Sequence, residues 1–263
     1  MKMFTAILWG AALSLFITLQ PAMAIEVDEI INKANLASYY AGQDGKAKVE
    51  MTITDGQGRQ RTREFIILRR DQEDGGRQQF YVYFKKPSDV RKMAFLVDKH
   101  IDQDDNRWLY LPALDLVKRI AASDKRTSFV GSHFFYEDVS GRGVDEDNHL
   151  LKESKDGYFV IENTPKDPAN VEFSAYTVWI DQNTFLPKKA EYLDKSGTKY
   201  RVVEALEVKE FQGIPTVVKS RVQDLQSGGE TISVFSEIKY DQGLKESIFS
   251  ERYLRKAPRE VRR

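Results

Sequence analysis

Three short segments restrict the fold of this chain more than any other feature: Gln79–Lys85, Met93–Val97 and Trp108–Leu111 read as strands that are apolar on both faces. Side chains alternate along a strand, and an antiparallel sheet usually keeps one face wet. Here Phe80, Val82 and Phe84 point one way while Tyr81 and Tyr83 point the other. Both faces therefore need cover, from helices, from a second layer or from a ligand.

The rest of the chain shows a more ordinary period of two. Ala47, Val49, Met51 and Ile53 alternate with Lys48, Glu50, Thr52 and Thr54, Asp55-Gly56-Gln57-Gly58 is a turn, and Thr62–Arg70 returns as a second strand. Further strands are expected at Tyr158–Glu162, Phe173–Asp181, Lys188–Leu193, Lys199–Val208, Ile214–Val222 and Thr231–Tyr240, with glycine turns at Gly197, Gly213 and Gly228-Gly229. Residues 25–40 carry Val27, Ile30, Ile31 and Ala34 at helical spacing, and Glu246–Leu254 reads as a short closing helix. Asp98–Arg107, Ser123–His149 and Asn163–Val171 look irregular. The expected class is mainly β with a few helices (α+β). A single antiparallel sheet curls around a hydrophobic space, with the N-terminal helix and the irregular 123–149 segment as lids.

The N-terminus specifies a compartment. Lys2 precedes an apolar run from Phe4 to Leu19, and Pro21-Ala22-Met23-Ala24 supplies the small-x-small pattern of a cleavage site. This predicts a signal peptide over 1–24, cut after Ala24, followed by one domain over 25–263 with no Pro/Ser-rich linker. The run is shorter than the ~20 residues of a membrane-spanning helix, so the mature chain is expected to be exported and soluble. With no Cys there is no disulfide, thiolate metal site, Cys nucleophile or lipidated Cys at the cleavage site. The balance of 40 basic and 40 acidic side chains argues against a nucleic-acid partner.

Few groups of residues suggest chemistry. Ser132-His133 beside Glu137-Asp138 invites a hydrolase reading, but no nucleophile-elbow sequence surrounds Ser132. Asp102-Gln103-Asp104-Asp105-Asn106 starts like a calcium loop, yet Arg107 and Ala113 stand where the pattern needs Gly and Glu. Asp145, Asp147 and His149 are read either as metal ligands or as a solvated acidic loop. Phosphate-binding glycine motifs are absent, so neither an enzyme nor a cofactor is expected. Lys118, Arg119, Lys125 and Arg126, together with the tail Arg252, Arg255, Lys256, Arg259, Arg262 and Arg263, form either a charged rim and a frayed terminus or a surface for acidic headgroups or a partner protein.

Trp108-Leu109-Tyr110-Leu111-Pro112-Ala113-Leu114, Lys118-Arg119-Ile120 and Ser128-Phe129-Val130-Gly131-Ser132-His133-Phe134-Phe135-Tyr136-Glu137-Asp138 resemble the outer-membrane lipoprotein-sorting protein family, relatives of the periplasmic carrier LolA and of LolB. Phe84-Lys85-Lys86-Pro87, Trp179-Ile180-Asp181, Leu186-Pro187, Phe249 and Leu254 extend the resemblance over the mature chain, and His133 departs from a pattern that usually has Asp. The resemblance implies a half-open β-barrel with a helical lid over an apolar cavity. It also implies residence in a Gram-negative periplasm, lipoprotein acyl chains or another hydrophobic cargo, and an inner-membrane exporter or outer-membrane receptor as partner. Transient contact with a membrane surface is compatible with this role, as is an accessory or sensor module that partners an exporter.

Burying each CH₂ of such a cargo is worth ~0.8 kcal/mol, which calls for an extended apolar lining. The lining candidates are Phe80, Val82, Phe84, Met93, Phe95, Trp108, Tyr110 and Trp179, with Phe129, Phe134 and Phe135 on the lid; each is equally readable as ordinary core. A register change of one residue would reverse which of them face inward.

Overall fold

The computed structural model describes residues 25–262; the expected signal peptide, its cleavage site at Ala24, and Arg263 lie outside them. Helix α1 (Val27–Tyr39) leads into one thirteen-stranded antiparallel sheet. Its first half is β1 (Asp44–Thr54), β2 (Gln60–Asp71), β3 (Gln78–Lys86), β4 (Ala94–Lys99), β5 (Asn106–Leu111) and β6 (Leu116–Ile120). The second half is β7 (Asp147–Lys155), β8 (Tyr158–Pro165), β9 (Phe173–Asp181), β10 (Pro187–Asp194), β11 (Lys199–Phe211), β12 (Ile214–Asp224) and β13 (Gly229–Tyr240). The spatial order β6-β5-β4-β3-β2-β1-β13-β12-β11-β10-β9-β8-β7 makes the sheet two meanders joined at its centre. There β1 pairs with β13, from Gly45 opposite Tyr240 to Thr54 opposite Glu230.

This topology dictates where the lid goes. β6 and β7 are the two edges of the sheet, so the segment between them must travel from one edge to the other across a face. Residues 121–146, including helix α2 (Tyr136–Ser140), make that crossing. The sheet stays open because its edges do not pair with each other, in agreement with a half-open barrel.

The two-faced strands receive one cover on each side. On the inner face Phe65, Phe80, Val82, Phe84, Phe95 and Val97 pack with Phe129 and Tyr136 of the crossing segment. On the outer face Ile66, Leu68, Tyr81, Ala94 and Leu96 pack with Ile248, Phe249, Leu254 and Val261. The last two belong to the short helices α3 (Arg252–Arg255) and α4 (Arg259–Arg262). Residues 246–262 therefore form a second layer rather than a frayed tail, and the expected closing helix over 246–254 breaks into a 3-10 turn and α3. Leu254 is 1% exposed. Leu254→Ala is expected to cost about 2–5 kcal/mol in urea denaturation and to leave ligand binding on the inner face unchanged.

The period-two pattern marks neither β6 nor β7. Both are edge strands and carry charge (Lys118 and Arg119; Lys152, Glu153 and Lys155), the usual protection of an unpaired edge against association. Helix α1 packs Ile30 and Ala34 on Phe159, Ile161 and Ile180 of β8 and β9.

Candidate functional site

The inner face of the sheet, the end of α1 and the crossing segment enclose a cavity of about 430 Å³, within the ~300–1,000 Å³ typical of ligand pockets. Its wall is mostly apolar. Val49, Met51, Phe65 and Ile67 come from β1 and β2, Phe80 and Val82 from β3, Val203 and Val217 from β11 and β12, and Phe235 from β13. Phe129, Phe134 and Val139 close it from the lid, and Ala37 and Tyr39 from α1.

Several fastenings hold the covers down. Phe129, 2% exposed, plugs the inner face with its ring 5.8 Å from Phe84, 5.5 Å from Phe95 and 5.6 Å from Tyr136. The guanidinium of Arg69 donates to the carbonyls of Tyr39, Ala41 and Gly42 just past α1. The Lys99 ammonium donates to the Ser140 carbonyl at 2.7 Å, at the end of α2, and lies 5.3 Å over the Tyr39 ring. Two cations from the sheet, Lys99 buried and Arg69 half-buried, thus hold the C-terminal ends of both covering helices, where carbonyl groups lack helical partners.

Beside the cavity, Glu137 of α2 is buried among Arg126, Lys125 at 3.2 Å and Arg142 at 3.5 Å. Arg126 continues to Glu172 at 2.7 Å, and Arg142 to Asp147 at 2.8 Å, so the network ties the lid to the second half of the sheet. Burial alone would push the Glu137 carboxyl up; the three cations outweigh it and hold it down at about 2. Arg126 is also stacked between Phe135, at 5.0 Å, and Phe173, at 4.8 Å.

The structure separates the expected lining residues into groups. Phe80, Val82, Phe129 and Phe134 line the cavity. Phe84, Met93 and Phe95 face the same side but are sealed beneath Phe129 as core. Trp108 and Tyr110 are corrected to the outer face: they stand opposite Leu96 and Ala94 on β4 and pack with the C-terminal layer. Trp179 also faces outward, because Val178 and Ile180 on either side of it take the face that meets α1; its ring lies 4.8 Å from the Lys189 ammonium. Phe135 serves the cation stack, with Arg201 4.3 Å away, and is not part of the wall.

Other readings are corrected by contact. Lys125 and Arg126 are internal partners of Glu137 rather than a charged rim. The Ser132 hydroxyl donates to the Phe129 carbonyl at 2.7 Å, the His133 imidazole meets the Thr231 hydroxyl at 2.8 Å, and Glu137 is held by arginines, so the three do not meet. Asp147 is taken by Arg142, and both ring nitrogens of His149 are occupied, by Asn163 and by the Val144 carbonyl. Among the described residues no group of three or more His, Cys, Asp or Glu side chains is placed to hold a metal ion. The sequence pattern does not assign the wall contributions of β1, β2, β11, β12 and β13. The dry face of Ala47, Val49 and Met51 was visible, but only the β1–β13 pairing puts it in the cavity.

A single curled antiparallel sheet with a lid over an apolar cavity defines a LolA-like half-barrel. A DUF1329 family protein from Desulfovibrio piger is 30% identical to this chain, with a TM-score of 0.78, covering 87% of this chain and 98% of its own. A domain assigned to outer-membrane lipoprotein sorting, from Vibrio parahaemolyticus, is also 30% identical, with a TM-score of 0.77 over 86% and 97% of the two chains. A LolA superfamily protein from Nitrosomonas europaea shares the fold at 20% identity, with a TM-score of 0.68 over 88% and 100%. A family model described as "Uncharacterized protein" matches residues 76–256, and no curated protein matches. The chain belongs to the DUF1329 family.

Proposed function

We propose that this protein is a periplasmic carrier that takes the acyl chains of lipid-modified proteins, or another hydrophobic cargo, into the cavity beneath its lid, for transfer towards the outer membrane. The observation that carries this reading is the cavity itself. An apolar space of about 430 Å³ between sheet and lid leaves hydrophobic wall without protein cover, and its volume suits a ligand. The signal-like N-terminus agrees with it, and among the described residues no helix is long and apolar enough to cross a membrane. The lipoprotein-sorting assignment of the Vibrio domain points the same way.

The test is a filled cavity. Ala47 lies on the wall, and a large side chain there occupies space rather than displacing core. Ala47→Phe is expected to weaken binding of a fluorescent fatty-acid probe at least tenfold, with little change in Tm. Mass spectrometry of protein purified from periplasm is expected to show a co-purifying amphiphile. Equal probe binding by both proteins and no amphiphile would overturn the carrier reading and favour a module that partners a membrane exporter without carrying cargo.

A further inference from the structure

The cavity wall contains polar side chains, and most are already engaged within the protein. Ser38 donates to the Ala34 carbonyl at 2.7 Å, Lys46 to the Glu260 carbonyl at 2.6 Å and Arg69 to the Gly42 carbonyl at 2.7 Å. Asp138 is paired with Arg201, Glu204 with Arg221, and Thr216 with the Tyr240 hydroxyl. Ser233 differs: it lines the cavity and is 2% exposed, yet its hydroxyl has no hydrogen-bond partner. Buried hydroxyls are normally satisfied, because leaving one unpaired in an apolar setting is unfavourable.

Its surroundings narrow the role. On the same face of β13, two residues earlier, the Thr231 hydroxyl accepts a hydrogen bond from the backbone N–H of His133 in the lid, at 3.1 Å. One hydroxyl of the pair is thus satisfied by the lid and the other is not. Ser233 stands opposite Met51 on β1 and opposite Ser220 on β12, and Ser220 also lines the cavity. Residues directly opposite on neighbouring strands share a face. Two adjacent hydroxyls therefore interrupt a wall of Val, Met and Phe side chains near the centre of the sheet.

We infer that Ser233, with Ser220 beside it, is a hydrogen-bond donor site for the carbonyl oxygen of an acyl ester or amide, so that the preferred ligand is an acylated molecule rather than a bare hydrocarbon or an alkyl ether. This rests on the carrier reading and sharpens its substrate class. The aliphatic chain lies against the apolar wall, while the carbonyl supplies the acceptor that Ser233 lacks.

A matched lipid pair tests the inference. 1-Palmitoyl-lysophosphatidylcholine and its 1-O-hexadecyl ether analogue differ at the carbonyl, and each is titrated against a bound fluorescent apolar probe. The wild-type protein is expected to prefer the ester about 3- to 10-fold, the range of a single net hydrogen bond. Ser233→Ala is expected to abolish that preference, leave ether binding unchanged, and keep or raise the Tm of the free protein. Ser233→Val is expected to act in the same way, and Ser220→Ala to reduce the preference in part. Equal wild-type affinity for the two lipids, a preference that survives in Ser233→Ala, or a lowered Tm would overturn the inference while leaving the carrier reading intact. Failure of both lipids and the probe to bind would overturn the carrier reading and this inference together.

Discussion

Glu137→Gln is expected to be strongly destabilising, lowering stability by about 2–4 kcal/mol in urea denaturation at pH 7. Gln keeps the shape of the side chain but removes the charge faced by Arg126, Lys125 and Arg142. Each cation keeps an outer carboxylate (Glu146 for Lys125, Glu172 for Arg126, Glu146 and Asp147 for Arg142), but Glu137 is the one that all three share, and its loss removes the charge-assisted bonds at the buried centre of the network. The effect has a defined pH signature. The folded-state value of Glu137 is held at about 2, below its ordinary 4.5. Its ionised form therefore adds stability above pH 4.5, and that contribution is lost as pH falls from 4.5 towards 2. Acid titration of the wild type followed by near-UV circular dichroism should show the loss, and Glu137→Gln should be flatter across that window. Identical acid profiles would show that the network does not hold the lid.

The second large effect is expected at Phe129→Ala. The ring is almost wholly buried and touches Phe65, Phe84, Phe95 and Tyr136. Its removal is expected to cost about 3–5 kcal/mol, with edge-on and tilted aromatic contacts adding to the simple loss of buried area. Because Phe129 also forms part of the cavity wall, the space beneath the lid should enlarge. Apolar probes are then expected to enter and leave faster, measured by stopped-flow fluorescence. A stability change without altered exchange would assign Phe129 to the core alone.

Most of the fold was legible, and what was missed follows a physical pattern. Helix α1 and β1 have clear periodicity because each buries a defined face, while β3 and β4 are legible as strands buried on both faces. β6 and β7 were overlooked because edge strands are charged, and their sequences resemble loops. The candidate site was legible only in part. The aromatic composition of β3, β4 and β5 showed that both faces were covered, but Trp108 and Phe95 look equally suited to either cover. Arg126 reads as part of a charged rim and Glu137 as a member of a hydrolase-like group with Ser132 and His133, since nothing local reveals that the crossing segment folds the two side chains inward against each other.

By itself the sequence determined the class of this protein: strands of period two, two-faced segments that demand a double cover, and one leading helix. These are local consequences of which side chains tolerate water. The tertiary structure decided which cover lies on which side. Strand order places β6 and β7 at opposite edges, so the connection between them becomes the lid, while the chain leaving β13 becomes the outer layer. It also brings Ser233 of β13 into the same wall as Met51 of β1, about 180 residues away in sequence. Pairing over such a separation depends on closing the whole meander, which no local pattern encodes.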